Sequence, residues 1–328
     1  MAVRRLSKRG IALQVEVPDD LVRRLRPWQR RRPPVYSVAT RIEPVPRDKQ
    51  HALDYLRNPN LAGDGTKPNP VAQDTIAEQR AKQEAATTLQ ERVDAVSWYH
   101  TIELPGGITT PGAHDHVDIV SRFDLPADLT GQRVLDVATF DGFWAFELER
   151  RGADVTAIDV PDVASFDWPT GVRDIIVNEE LNLAFGDSFR IAHEARGSSV
   201  TRVECSVYDL DPDSVGTFDL VFLGDLLVHL ERPLEALRAM RSVTAGRLIM
   251  TDTFDPTISY RGEPLLRYVG GWDGLKWWEP SLEALAQWVL DAGYDDVEIK
   301  GTYQQPTRFG GHPGWHRAII HATHADHP

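Results

Sequence analysis

A single cysteine, Cys205, among 328 residues excludes an internal disulfide, and no Cys or His neighbour stands at metal-ligand spacing from it. No apolar run is long enough to cross a bilayer. The basic N-terminus lacks the apolar core of a signal peptide. A reducing compartment, the cytoplasm, is therefore the expectation. The Gly-x-Gly-x-x-Gly turn that admits a pyrophosphate is missing, as is a Walker phosphate loop, so dinucleotide and P-loop chemistry are not indicated. There is no internal repeat.

Hydrophobic residues make up 41% of the chain, enough for a normal core. The net charge of −13 is unevenly spread: residues 1–50 carry 13 Lys/Arg against 5 Asp/Glu, a net of +8 that leaves −21 for the remainder. An acidic body does not suit non-specific nucleic-acid binding, which needs cations for phosphates. The basic arm, with Arg30, Arg31 and Arg32 ahead of Pro33 and Pro34, is either a solvated tail or a polyanion contact.

Three regions follow. Residues 1–74 are a basic, Pro-rich extension, read as extended chain or loop apart from a short amphipathic stretch at 20–26. Residues 75–125 form a helical cap and pocket edge, with one helix expected over 75–96 and a Gly/Pro-punctuated segment after it. Residues 126–328 carry the regular pattern, with an insertion at 253–280. Buried strands are read at 133–138 (RVLDVA), 154–159 (DVTAID), 200–207, 218–223 (FDLVFL) and 247–251 (RLIMT). Helices are read at 144–151, about 183–194, from Pro233, and 281–292. Two further strands, 297–302 and 317–322, lie too close for a helix between them and form an antiparallel hairpin. The alternation predicts an α/β domain with a parallel sheet and helices on both faces.

Such a sheet binds its ligand at the carboxyl ends of the strands, where strand order reverses. After the first strand comes Asp136-Val137-Ala138-Thr139-Phe140-Asp141-Gly142, whose small residues let the backbone turn into a helix N-terminus open to a cofactor. Asp159 ends the second strand and can accept both hydroxyls of a ribose. Asp209 follows the third strand, within reach of an adenine amino group, and Gly224 follows the fourth.

Asp136-x-Ala-x-Phe-x-Gly142 resembles the Asp-x-Gly-x-Gly-x-Gly loop of class I S-adenosylmethionine (SAM)-dependent methyltransferases. Asp159 matches their ribose-binding acid, and residues 218–222 their fourth strand. The run FDLVFLGDLLVHLERPLEAL, residues 218–237, is most similar to the tRNA wobble-uridine carboxymethyltransferases and their uncharacterised relatives. The likeness extends from about Trp98 to Tyr303, including Thr110-Pro111-Gly112 and Trp278-x-Pro280-Ser281. It implies the Rossmann-like class I methyltransferase sheet, and SAM held by Asp136, Ala138, Thr139, Phe140, Gly142, Asp159, Asp209 and Gly224. Two family glycines are Ala138 and Phe140 here, and Phe140 is expected to fit only with φ < 0. Where the carboxymethyl-transferring enzymes place a tyrosine on the cofactor's extra carboxylate, this chain has Val228, which cannot donate a hydrogen bond. Plain SAM is therefore the expected cofactor.

Methyl transfer from a sulfonium needs a positioned nucleophile and, for a hydroxyl or ammonium, a base. His229, just past the fourth strand, is the candidate base, or else a loop tether or helix cap. Asp225 either orients it, contacts the methionine amino group, or is a solvated loop acid. Tyr99, His100, His114 and His116 are candidate acceptor-pocket walls, with Asp115 between two of them. His114-x-His116 lacks an evident third ligand, so no metal is expected. Tyr268, Trp272, Trp277 and Trp278 in the insertion suit an aromatic or apolar acceptor or pack the helix after Ser281. His312 and His316 flank the last turn and either join the site or are ordinary loop residues. The leading expectation is O- or N-methylation of a small molecule in bacterial secondary metabolism, by a chain without membrane contacts that can form a homo-oligomer. The alternatives are a tRNA-modifying enzyme and a catalytically silent SAM-fold partner protein.

Overall fold

The computed structural model describes residues 2–8, 11–17, 76–168, 186–259, 262–270, 276–304 and 315–324. The chain divides into two units, residues 1–46 and 47–328. In the first, β1 (Ala2–Lys8) and β2 (Ile11–Val17) pair as an antiparallel hairpin. Ile11, Leu13, Val15 and Val17 alternate with other residues at the period of a strand, a pattern the reading of this segment as loop overlooked. The stretch at 20–26 lies outside the described residues.

The second unit opens with α1 (Ile76–Ala85) and α2 (Leu89–Asp94) in place of one helix. Thr88 explains the break: its side chain accepts from the Glu91 N–H while Glu91 reaches back to the Thr88 backbone, a capping box that starts a new helix. Gln83 donates to Asp187 at 2.9 Å and Arg92 pairs with Glu194, which ties both helices to α4 below. A small hairpin follows, β3 (Glu103–Leu104) with β4 (Ile108–Thr109).

The remaining elements build the main sheet: β5 (Arg133–Val137), α3 (Phe143–Arg150), β6 (Asp154–Asp159), α4 (Asp187–Arg196), β7 (Thr201–Glu204), α5 (Pro212–Val215), β8 (Phe218–Gly224), α6 (Pro233–Val243) and β9 (Thr244–Thr253). Then come β10 (Leu266–Tyr268) and β11 (Trp278–Pro280), an antiparallel pair inside the insertion, and α7 (Leu282–Asp291), β12 (Asp296–Gln304) and β13 (His316–Thr323). The seven-stranded sheet runs β12-β13-β9-β8-β5-β6-β7. β13 is antiparallel to both neighbours and the other inner pairs are parallel. The expected α/β sheet with its C-terminal hairpin is therefore present, and its strand order reverses between β5 and β8.

Side chains alternate across the centre of this sheet. Val134, Leu220, Phe222, Ile249 and Ile319 pack with Phe146 and Phe189 of α3 and α4. Leu135, Val137, Val221, Leu223, Leu248 and Met250 pack on the other face with Leu237 and Met240 of α6 and Leu285 and Val289 of α7. Burial on both faces is why these strands read as continuous apolar runs. Among the described residues, no helix is long and apolar enough to cross a membrane.

The segment ahead of β5 is pinned by close backbone contact. Thr101 N–H donates to His114 O at 2.8 Å, His114 N–H to Tyr99 O at 3.0 Å, and the Thr110 hydroxyl to His100 O at 2.7 Å. A Cβ on Gly112 would sit 2.0 Å from the His100 carbonyl carbon and oxygen. Backbone cannot yield as a side chain can, which gives the Thr-Pro-Gly run a packing reason. Gly112→Ala is expected to destabilise the fold by about 3 kcal/mol or more, as overpacking against rigid backbone does. Chemical denaturation checks this, and a loss under about 0.5 kcal/mol, within the range of a neutral surface change, would show that the contact relaxes.

Candidate functional site

The turn after β5 sits at the strand-order reversal, and its backbone is unusual. Ala138 (φ 59), Phe140 (φ 51) and Gly142 (φ 91) are all left-handed. The expectation that Phe140 needs φ < 0 is thus corrected: the positions of the family glycines do require positive φ, and Ala and Phe adopt it at a cost of about 1 kcal/mol each. Hydrogen bonds hold them there. Phe140 N–H donates to Asp159 Oδ2 at 2.8 Å, Thr139 N–H to Ile158 O at 3.1 Å, and Gly142 N–H to Thr139 O at 2.9 Å. The Phe140 ring meets that of Tyr99, centroids 5.6 Å apart. A Cβ on Gly142 would lie 2.5 Å from the Phe146 ring and 2.9 Å from Phe189, so this last position also lacks room for a side chain.

The two acids read from the strand tips therefore stand together. The other Asp159 oxygen accepts from Val160 N–H at 2.9 Å, and burial pushes this carboxyl up to about 6. Asp136 is buried beside it; burial above all pushes it up to about 7, and its Oδ2 has no hydrogen-bond partner among the described residues. Asp209 is exposed in the single turn Val207–Asp209, which Ser206 caps. Gly224 ends β8 where the Trp144 ring would be 3.2 Å from a Cβ.

Asp141, which the sequence reading passed over, organises the opposite wall. It is fully buried and accepts the N–H groups of Tyr99 (2.9 Å) and His100 (2.7 Å), while its second oxygen lies 2.5 Å from His100 Nδ1. The turn is thereby joined to the segment carrying the predicted wall residues. Ring centroids are 4.3 Å apart for Tyr99–His114, 4.8 Å for His100–His116 and 5.6 Å for His116–Trp144. Burial, with the charges of His100, His114 and Arg317, pushes His116 well below the usual imidazole range, so the ring is neutral at pH 7. Asp115 instead closes a local turn, accepting from Val117 N–H at 3.1 Å. Among the described residues no group of three or more His, Cys, Asp or Glu is placed to hold a metal.

Past β8, Asp225 (φ 65) pairs with Arg317 of β13 and accepts from the Thr253 hydroxyl at 3.1 Å. Burial opposes its ionisation, but Arg317, His229 and the Thr253 hydroxyl outweigh burial and hold its carboxyl below the usual range. It is thus an ion-paired group rather than a solvated loop acid. Behind it Asp252 is fully buried, and burial plus the Asp225 charge push it well above the usual range. His229 is half-buried on the turn Leu227–His229. It does not cap α6, whose N-cap is Arg232 without a side-chain bond.

The insertion aromatics act largely as fasteners. Trp277 donates its backbone N–H to Val228 O at 2.8 Å and its indole N–H to Asp167 O at 2.6 Å, and Trp278 donates to Glu231 O at 3.2 Å. Tyr268 is 61% exposed, its ring 5.4 Å from Trp278. His316 starts β13 and lies 3.4 Å from Gln304 Nε2. Trp272 and His312 lie outside the described residues. Arg317, also unforeseen, had a signal: it is the one Arg or Lys in a strand whose Ala318, Ile319, Ile320 and Ala322 are apolar.

A family model described as a methyltransferase domain matches residues 114–299. A Magnesium-protoporphyrin O-methyltransferase of Rhodobacter capsulatus is 32% identical over 125 residues, 38% of this chain and 46% of the relative, so the match spans less than half the length of that curated protein. Similar solved structures include the N-terminal domain of EvdMO1 in the presence of SAH and D-fucose (18% identity, 75% of this chain and 95% of that one, TM-score 0.48). Another is the magnesium protoporphyrin IX methyltransferase ChlM of Synechocystis PCC 6803 with bound SAH (20% identity, 63% and 81% covered, TM-score 0.42).

Gly142→Ala is expected to distort the turn through both its φ and the Phe146 and Phe189 rings, costing about 2 kcal/mol in stability. Thermal unfolding measures it; an unchanged Tm would mean that the left-handed turn is not held as described.

Proposed function

This chain belongs to the methyltransferase-domain family, and from that premise we propose that it moves the methyl group of SAM to an oxygen or nitrogen of a small-molecule acceptor. The observation that carries the reading is the 2.8 Å bond from Phe140 N–H to Asp159. It brings a backbone turn and a sugar-accepting carboxylate to one point on the carboxyl edge of the sheet, as a nucleoside requires. Asp159 and the turn residues 138–142 hold the nucleoside, and the orphaned, buried Asp136 Oδ2 supplies a further acceptor beside it. SAM supplies a sulfonium-bound, electrophilic methyl group.

The protein's part is placement and proton removal. Asp141 fixes Tyr99 and His100 against the turn, which sets one wall for the acceptor. His229 takes the proton that an attacking hydroxyl or ammonium releases, and the Asp225 carboxylate steadies the resulting imidazolium, an interaction already visible in the effect of His229 on Asp225.

A carboxylate accepts ribose hydroxyls best when ionised, so SAM affinity should follow Asp159. With its carboxyl at about 6, affinity at pH 5 is expected to be about tenfold weaker than at pH 8. The sign is a gain with rising pH, because the bound form is the deprotonated one. Calorimetry from pH 5 to 8 tests this, with Asp159→Ala expected to abolish binding; a flat profile in the native chain refutes the placement.

The reaction is tested by incubating the protein with methyl-labelled SAM and cell extract and then separating small molecules from RNA. Label is expected among small molecules, and His229→Ala should lower its transfer at least tenfold while sparing SAM affinity. Label confined to tRNA would overturn the small-molecule reading, and an unchanged rate in the variant would remove His229 as the base.

A further inference from the structure

One carboxylate serves three segments of the carboxyl edge. The chain leaves β6 at Asp159, the candidate ribose acid, and reaches Asp167 eight residues later. Between them Asp162 closes a turn, accepting the N–H and the hydroxyl of Ser165 at 2.9 and 2.7 Å. Asp167 is half-buried, and a single side-chain oxygen, Oδ2, accepts both the Tyr208 hydroxyl and the Glu231 N–H, each at 2.6 Å. The Tyr208 oxygen in turn accepts the Arg232 N–H at 3.3 Å, and the Arg232 guanidinium lies 4.3 Å from the centroid of the Tyr208 ring. The backbone carbonyl of Asp167 takes the indole N–H of Trp277 at 2.6 Å.

These partners belong to different parts of the site. Tyr208 is in the turn Val207–Asp209, next to Asp209, the candidate adenine partner. Glu231 and Arg232 follow the turn Leu227–His229 that carries the candidate base, and Arg232 is the N-cap of α6 without a side-chain bond of its own. Trp277 is in the insertion and donates its backbone N–H to Val228 O. Backbone N–H groups ahead of a helix need acceptors, and here the segment after β6 supplies them in place of the helix's own sequence. Bonds to a carboxylate are short and directional, so residues 231 and 232 are held where Asp167 and Tyr208 stand.

A plain fastener would hold that turn equally with and without a ligand. Both elements that carry this pair, however, begin or end on an acid placed for the nucleoside: Asp159 for the ribose and Asp209 for the adenine. We propose that Asp167 is a positioning residue, which passes cofactor occupancy at Asp159 and Asp209 on to the turn that carries His229. A bound nucleoside steadies the two segments, the Asp167–Tyr208 pair steadies residues 231 and 232, and the base is then set in place. Its consequence is an order of binding, cofactor before acceptor. This rests on the methyltransferase reading with His229 as the base.

Amide hydrogen exchange on the full chain, with and without S-adenosylhomocysteine (SAH), tests the coupling without a known acceptor. In the native chain SAH should slow exchange about tenfold across residues 226–232 as well as across 138–160. Asp167→Ala should keep its SAH affinity and the effect at 138–160 but lose the effect at 226–232. Asp167→Asn, whose amide oxygen still accepts, should restore most of it. Tyr208→Phe, which leaves the carboxylate but cuts its link to the turn 207–209, should lose part of it and carries the comparison if Asp167→Ala does not fold. With methyl-labelled SAM and cell extract, Asp167→Ala should lower the maximal rate about tenfold while half-saturating SAM stays within about twofold. Protection at 226–232 that survives in full in Asp167→Ala or Tyr208→Phe, or that is absent from a native chain that binds SAH, would overturn the proposal. Loss of SAH affinity in Asp167→Asn would overturn it too, by placing Asp167 in the cofactor site itself. A native chain that binds neither SAM nor SAH would defeat the methyltransferase reading instead.

Discussion

Left-handed backbone at Ala138 and Phe140 persists because an acid stands on each side of it. Asp159 takes the Phe140 N–H from the β6 side, and Asp141 reaches the other way to the amides of residues 99 and 100. Without those acceptors, neither alanine nor phenylalanine has a reason to leave the right-handed region. The turn, the helix it feeds and the segment before β5 therefore form one hydrogen-bonded unit, and the strain sits at the carboxyl edge of the sheet.

A second unit is electrostatic. Arg317, buried at 2% exposure, faces Asp225 across the end of β9, and its Nη1 has no hydrogen-bond partner among the described residues. Asp252 lies behind that pair and accepts the N–H groups of Leu226 and Leu227, which fixes the strand-to-turn junction ahead of His229. One acid held toward ionisation by Arg317, one acid whose ionisation burial disfavours and one cation thus share a small volume. Their arrangement sets the electrostatic field at the turn that carries His229.

The sheet was legible in the chain because its strands are buried on both faces and read as apolar runs, and the strand tips at Asp136 and Asp159 could be counted from them. Hidden from that reading were the contacts that depend on pairing between distant segments. The sign of φ at Phe140 follows from a bond to a residue on the next strand, and residue preference alone pointed the other way. Arg317 becomes a partner of Asp225 only because β13 inserts antiparallel beside β9, so that the start of that strand, not its end, meets the ligand edge. Asp141 gained meaning only once Tyr99 and His100 were brought beside it. The indole N–H bonds of Trp277 and Trp278 to Asp167 O and Glu231 O likewise depend on segments far apart in the chain.

The bond from Trp277 N–H to Val228 O sets the insertion directly against the residue that precedes His229. A change in the length or sequence of this insertion would therefore displace His229 in the same stroke. Diversification of this scaffold is then constrained to come in matched pairs, a new insertion together with a retuned 226–232 turn, and grafting either alone is expected to yield a protein that binds its cofactor and turns over slowly.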